Sequence, residues 1–174
     1  MEHPDAVSLI AAMTPARIIG HKGFLPWPTI PSDFKRFRAL TESAGVVIMG
    51  SETFRSILAR NRDPLSNRVN LVLTRKNTEF VASRGGVPVA SVEAALERAG
   101  RRAAVIGGAQ VFRACMPFAR VGFFTFVHAD LPGDAVFPAL SGTWMWAPVP
   151  HPQPALIDSR DPYPTSFVTY VRTT

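Results

Sequence analysis

One carboxylate stands out by its surroundings. Asp33 lies in Leu25-Pro-Trp-Pro-Thr-Ile-Pro-Ser-Asp-Phe-Lys-Arg-Phe-Arg-Ala-Leu-Thr41, between a tryptophan-and-proline segment and a helical stretch carrying two phenylalanines. A carboxylate walled by apolar groups loses hydration, at a cost on the order of several kcal/mol, unless a cationic or donor-rich group meets it. Asp33 in such a place is suited to gripping a ligand rich in N–H donors. The same residue also suits a plainer role in the first helical turn after a Ser32 N-cap, where the helix dipole favours an acid and water is near. The segment alone leaves both open.

A second chemical feature occurs twice. Val47-Ile-Met-Gly-Ser-Glu-Thr-Phe-Arg-Ser56 and Val105-Ile-Gly-Gly-Ala-Gln-Val-Phe-Arg-Ala114 share the pattern Val-Ile-x-Gly-x-x-x-Phe-Arg-small, each reading as a buried strand that turns through glycine into a helix. The first amides of a helix lack internal partners and carry the positive end of its dipole, and glycine lets an anion approach the backbone. Two such turns on neighbouring strands would hold the two ends of a dinucleotide. Neither matches G-x-G-x-x-G or G-x-x-x-x-G-K-[ST], and tight turns also need glycine for geometry alone.

Other chemistries find little support. His3, His21, His128 and His151 show no ligand spacing with cysteine or acids, so no protein-bound metal is expected. There is no G-x-S-x-G elbow, and the lone Cys115 has no evident base and reads as a small core residue.

These residues need a scaffold. With 174 residues, 47% hydrophobic and 18% charged, one domain over residues 1–174 is expected. No signal-like start and no long uncharged apolar run appears, which predicts a cytoplasmic protein with no membrane partner. The net charge of +6 comes from scattered basic residues, which suits small anions better than a nucleic acid. Apolar runs at 7–13, 46–49, 69–74, 103–106 and 121–128 predict buried strands, and stretches at 32–42, 53–58, 91–99 and 110–116 predict helices. Strand and helix alternate, which favours a largely parallel sheet flanked by helices. After residue 143 prolines punctuate the chain, and two strands at 155–159 and 166–172 suit antiparallel edge positions.

The motifs add up to a family. Ser8-Leu-Ile-Ala-Ala12, Ile19-Gly20, Leu25-Pro-Trp27, Pro31-Ser-Asp-Phe-Lys-Arg-Phe37, Val47-Ile-Met-Gly50, Pro64-Leu-Ser-Asn-Arg68, Ile106-Gly-Gly108 and Gly133-Asp-Ala-Val-Phe-Pro138 fall in the order of dihydrofolate reductase, and the resemblance covers almost the whole chain. It implies an α/β three-layer fold with a mostly parallel eight-stranded sheet, an antiparallel C-terminal edge strand, and helices on both faces. It also implies a monomer that reduces 7,8-dihydrofolate with NADPH and binds antifolate inhibitors.

On this resemblance Asp33 would accept hydrogen bonds from N3 and the 2-amino group of the pterin. Trp27 and Thr125 would hold an ordered water and the carboxylate network, and Leu25 would lie on a mobile loop shielding the nicotinamide. The pterin pocket would be formed by Ile10, Ala11, Ala12, Phe34, Phe37, Ile57, Leu65, Ile106 and Phe112, with Arg68 forking onto the folate α-carboxylate. The cofactor would contact Ala12, Ile19 and Gly20, the turns at Gly50, Ser51 and Thr53 and at Gly107, Gly108, Ala109, Gln110, Val111 and Phe112, and Leu73, Thr74 and Arg75 at the 2′-phosphate.

The chain departs from the family pattern in places. Ser51-Glu52 stands where many members have a basic residue, residues 57–64 are longer than in compact members, and Asn67 stands where glycine is usual. Phe112 replaces a tyrosine, and Lys22 and Ala135 are unusual on loops that pair during closure. Two rival readings are a riboflavin-pathway ribosylamino-pyrimidine reductase of the same fold, disfavoured by Asp33 with Trp27, and a non-catalytic binder of anions.

Overall fold

The structure is a computed structural model in which residues 5–140, 144–146 and 158–172 are described, residues 144–146 as backbone alone. Its centre is β1, Val7–Met13, an apolar strand with parallel neighbours on both sides, β6 (Ala103–Gly107) and β7 (Val121–Val127). Beyond β6 lie β3 (Val46–Gly50), β4 (Val69–Leu73) and β5 (Val87–Val89), all parallel. Beyond β7 lie the antiparallel β10 (Thr165–Arg172) and β9 (Trp144–Trp146). The eight-stranded order is β5-β4-β3-β6-β1-β7-β10-β9, and β2 (Ile18–Gly20) pairs with β8 (Ala135–Val136) in a separate ribbon.

Strand alternation sorts the core into two layers. Val47, Met49, Val72, Ala104 and Phe123 face one side, where they meet Leu40 and Ala44 of α1 (Pro31–Ala44), Phe54 and Leu58 of α2 (Ser51–Asn61) and Val81 of α3 (Thr78–Ser83). Leu9, Ile48, Leu71, Val105 and Phe124 face the other, against Ala95 of α4 (Val92–Ala99) and Phe112 and Cys115 of α5 (Ala109–Cys115). Phe54, Phe124 and Phe137 are almost wholly enclosed; truncating any of them to alanine costs about 3–5 kcal/mol.

The predicted strands and helices through residue 128 are present, with α1 and α2 longer than their apolar stripes. The short α3, β5, β9 and the β2–β8 ribbon are additions. The C-terminal strand is antiparallel as expected but is not an edge: β10 is paired on both sides, and the edge is β9. Residues 155–157 of the expected strand 155–159 lie outside the described residues, and 158–160 form a turn in which Arg160 donates to Asp158 at 2.6 Å.

Candidate functional site

Pro31 opens α1, where its fixed φ is already helical. The cap differs from the sequence expectation. The N-cap is Ile30, with no side-chain bond of its own, and Asp161, from the segment before β10, accepts the Ser32 N–H at 3.0 Å. Asp33 follows in the first turn. The stripe of α1 that faces the sheet comprises Arg36, Leu40, Thr41 and Ala44, and places Asp33 and Phe37 toward the same wall at helical spacing.

Burial pushes the Asp33 carboxyl above its ordinary value; a hydrogen bond from Thr125 and the charge of Arg36 oppose the rise, and Asp161 adds to it. Thr125 comes from β7, opposite Ala12 of β1. Trp27 is buried against Ile30 and Val127, with Ala12 and Tyr163 beside them, and so braces the entry to α1.

Phe37, one helical turn from Asp33, packs in one apolar layer with Ile10, Ile57, Leu65 and Ile106. Ala11 is not part of it. Its side chain packs in the opposite layer with Leu9 and Met13, because neighbouring strand residues point to opposite faces, so Ala11 can reach a ligand here only through its backbone. Phe112 is likewise a core ring as it stands, 3% exposed, its centre 4.8 Å from that of Phe137 with the planes tilted by 53°. Phe34, which shares the helix with Phe37, is 45% exposed and sits at the rim beneath Arg60.

A cleft of about 320 Å³ opens there, lined by Phe34, Phe37, Arg38, Asn61, Asp63, Pro64, Leu65, Ser66 and Arg68. The Arg68 side chain is 5% exposed and is held by Thr41 Oγ1 and the Ser66 carbonyl, both at 2.7 Å, with Glu42 at 3.9 Å. Burial and Arg38 lower its pKa, and Glu42 opposes them. Asn67 adopts φ 59, the left-handed turn for which asparagine is tolerated, and the Asn70 carboxamide ties Leu65 and Arg68 together.

The paired glycine turns lie side by side on β3 and β6. A Cβ on Gly50 would come within 3.2 Å of Val111, and one on Gly108 within 3.6 Å of Thr53. Gly107, at φ +111, would drive a Cβ to 2.9 Å of the Phe112 ring, so only glycine gives the backbone this course. Neither Gly50 nor Gly108 supplies a side-chain cap, which leaves the helix-start amides beside Ser51, Ala109 and Gln110 free of side-chain caps. This cradle fits the phosphates of a dinucleotide. Glu52 is 85% exposed and lies 3.9 Å from Arg55.

Leu73 ends β4 as a partly buried core residue, Thr74 Oγ1 accepts the Asn77 N–H, and exposed Arg75 lies against the Ala90 carbonyl at 3.4 Å. Ile19 and Gly20 are fixed by the ribbon: a Cβ on Gly133 would strike Ile18 at 2.2 Å and the Gly20 carbonyl at 2.4 Å, and Asp134 accepts the Lys22 N–H at 3.0 Å. Leu25 follows this loop and is 48% exposed.

Three neighbours of the site were not anticipated from the sequence. Asp161 caps α1 from 129 residues away, which no local pattern reveals. Arg55 stacks on Phe80 at 4.3 Å and reaches Asn77 beside Arg75. Arg36 is buried, though its place on the apolar stripe of α1 was legible.

A family model described as dihydrofolate reductase matches residues 6–172. The chain is 37% identical over 171 residues to dihydrofolate reductase type 3 of Salmonella typhimurium, covering 95% of this chain and 98% of that one. It is 34% identical over 167 residues to the dihydrofolate reductase of Bacillus subtilis, covering 94% and 93%. Among solved structures it resembles dihydrofolate reductase from Enterococcus faecalis complexed with NADP(H) and RAB-propyl, with a TM-score of 0.84, 28% identity and full coverage of both chains. With a family model over residues 6–172, relatives matched over nearly the full length and a matching fold, the chain belongs to the dihydrofolate reductase family.

Proposed function

We propose that this chain reduces 7,8-dihydrofolate to 5,6,7,8-tetrahydrofolate with NADPH, and that Asp33 is the acid that grips the pterin. The observation that carries this is the Asp33 carboxyl in the first turn of α1, raised in pKa by burial, with Thr125 favouring its ionised form and Phe37 of the same helix packed in an apolar wall. A carboxylate there accepts from N3–H and the 2-amino group of the pterin as a bidentate pair, which fixes the ring in one orientation. Ile10, Phe37, Ile57 and Ile106 form the apolar surface of the pocket, as small-ligand sites require. Trp27 and Thr125 hold the acid's surroundings in place, and Arg68 receives the tail carboxylate.

The helix starts at Gly50 and Gly108 hold the cofactor phosphates, and Arg75 faces the 2′-phosphate. When bound, NADPH supplies the hydride for C6 of the pterin. N5 takes its proton through solvent, with Asp33 orienting and polarising the ring rather than delivering the proton. Leu25 and the loop before it close over the site and exclude bulk water, so that fixed dipoles act on the reacting ring.

The same reading makes the chain a single-domain cytoplasmic monomer whose ligands are small molecules, antifolates among them. No described helix is long and apolar enough to cross a membrane. A ribosylamino-pyrimidine reductase would lack the acid on α1, so Asp33 with Trp27 favours folate. The test is the loss of NADPH absorbance on mixing protein, NADPH and dihydrofolate, with a 2,4-diaminopyrimidine antifolate as the control. Loss that requires all three and is suppressed by the antifolate supports the proposal; no loss refutes it.

A further inference from the structure

A second charge lies buried beside Asp33. Arg36 is one helical turn further along α1, 8% exposed, on the stripe with Leu40 and Ala44 that faces the sheet. Its guanidinium lies 4.7 Å from the centre of the Phe167 ring and 5.9 Å from that of Phe123. Nη1 donates to the Phe124 carbonyl at 3.2 Å and to Thr125 Oγ1 at 3.3 Å, while Nε and Nη2 have no hydrogen-bond partner among the described residues. A well-packed apolar residue in that slot would be as stable or more so. A buried arginine there calls for a task.

Thr125 joins the two charges. A hydroxyl has one proton and two lone pairs; Arg36 fills a lone pair at 3.3 Å, which leaves the proton free to turn toward the Asp33 carboxyl, whose ionised form Thr125 favours. We propose that Arg36 is a positioning residue of the reaction: it fixes the Thr125 hydroxyl with its proton on the Asp33 side and holds Asp33 as a carboxylate ready to accept from the pterin. This rests on the folate reading above and deepens it.

A chain running from N–H through O–H to carboxylate is polarised along its length. Among the described residues the other acid acting on Asp33 is Asp161, which caps the first turn of α1 and acts in the opposite sense. Lys35 and Arg38, the remaining charges on this turn, are exposed. Arg36 itself, though lowered by burial to about 10, stays charged near neutral pH, and the charge of Asp33 helps to keep it so. Arg36 is thus the buried positive charge facing Asp33 among the described residues of α1.

The test uses Arg36→Met, which keeps the stem between the two rings, Arg36→Gln, which also keeps a donor, and Arg36→Lys, which keeps the charge. Affinity for a 2,4-diaminopyrimidine antifolate, read by tryptophan fluorescence without NADPH, is followed against pH, and kcat/KM for dihydrofolate is followed in parallel. The acid limb of both profiles is expected to move up by about one unit or more in Arg36→Met and Arg36→Gln, the scale of an opposite charge lost within ~4–6 Å. At least half of that shift should return in Arg36→Lys. Variants that titrate with the wild-type curve overturn the proposal, as does failure of both uncharged variants to fold, since that marks a purely structural residue. A wild-type protein that neither binds the antifolate nor oxidises NADPH overturns the folate reading instead.

Discussion

Replacing Arg68 with leucine separates substrate binding from chemistry. Its Nε and one Nη1 proton are committed to the Ser66 carbonyl and Thr41 Oγ1, both at 2.7 Å, and Glu42 lies only at 3.9 Å. The outer edge, one Nη1 proton with Nη2, stays available as a fork for a carboxylate. Two charge-assisted bonds are worth roughly 1.5–3 kcal/mol each, and desolvation of the incoming carboxylate discounts them, so about 2–4 kcal/mol is lost in Arg68→Leu. That predicts a fall in kcat/KM of about 30- to 900-fold, since each 1.36 kcal/mol is tenfold. The tail is remote from C6 and is held equally before and during hydride transfer, so the loss belongs in KM with kcat nearly unchanged. Loss of the Thr41 and Ser66 bonds also costs about 1 kcal/mol each in stability, so the assay must run well below the melting temperature. The control is a dihydropterin without the glutamyl tail, which Arg68→Leu should reduce as well as the wild type does. An effect on kcat alone, or an equal loss with the tailless substrate, refutes the role given to Arg68.

Arg75→Ala should reduce the preference for NADPH over NADH by roughly tenfold, the worth of about one charge-assisted contact at an exposed site; an unchanged ratio of the two kcat/KM values removes Arg75 from the 2′-phosphate. Asp33 should also lower stability at neutral pH. Burial raises its folded pKa above the ordinary 3.8, so its contribution is fully present below that value and is lost as pH rises through the raised one. Asp33→Asn should therefore melt at a higher temperature than the wild type at neutral pH, with the gap closing as the buffer is acidified. Equal melting temperatures across the range would contradict the burial of that carboxyl.

The parts of the fold legible in the sequence are those whose apolar runs exceed what a loop would carry. β1, β3, β6 and β7 are near-continuous runs because they are covered on both faces. What escaped is short: α3 has six residues, β5 and β9 three each, and β5 carries Pro88 at its centre, so none offers a full period to read. β10 read as an edge because nothing local announces that a three-residue strand will pair outside it. In the site, Asp33, the apolar wall and the glycine turns were visible because residue type and spacing state their chemistry. Arg36 passed as one more basic residue in Lys35-Arg-Phe-Arg38, although its helical spacing from Leu40 and Ala44 places it inward. Adjacency in sequence places Ala11 with Ile10 and Ala12, whereas the strand pleat turns it to the opposite layer. The Asp161 cap depends on a contact across 129 residues that only the folded chain creates.

On the proposed function, the Asp33 carboxylate grips the pterin while the reaction proceeds. The most direct measurement is steady-state NADPH oxidation with dihydrofolate by Asp33→Asn beside the wild type at neutral pH, with circular dichroism to establish that the variant keeps its fold. A fall in turnover of about 10²-fold or more is predicted, the scale of lost positioned acid chemistry. Near-normal turnover by a folded Asp33→Asn would contradict it.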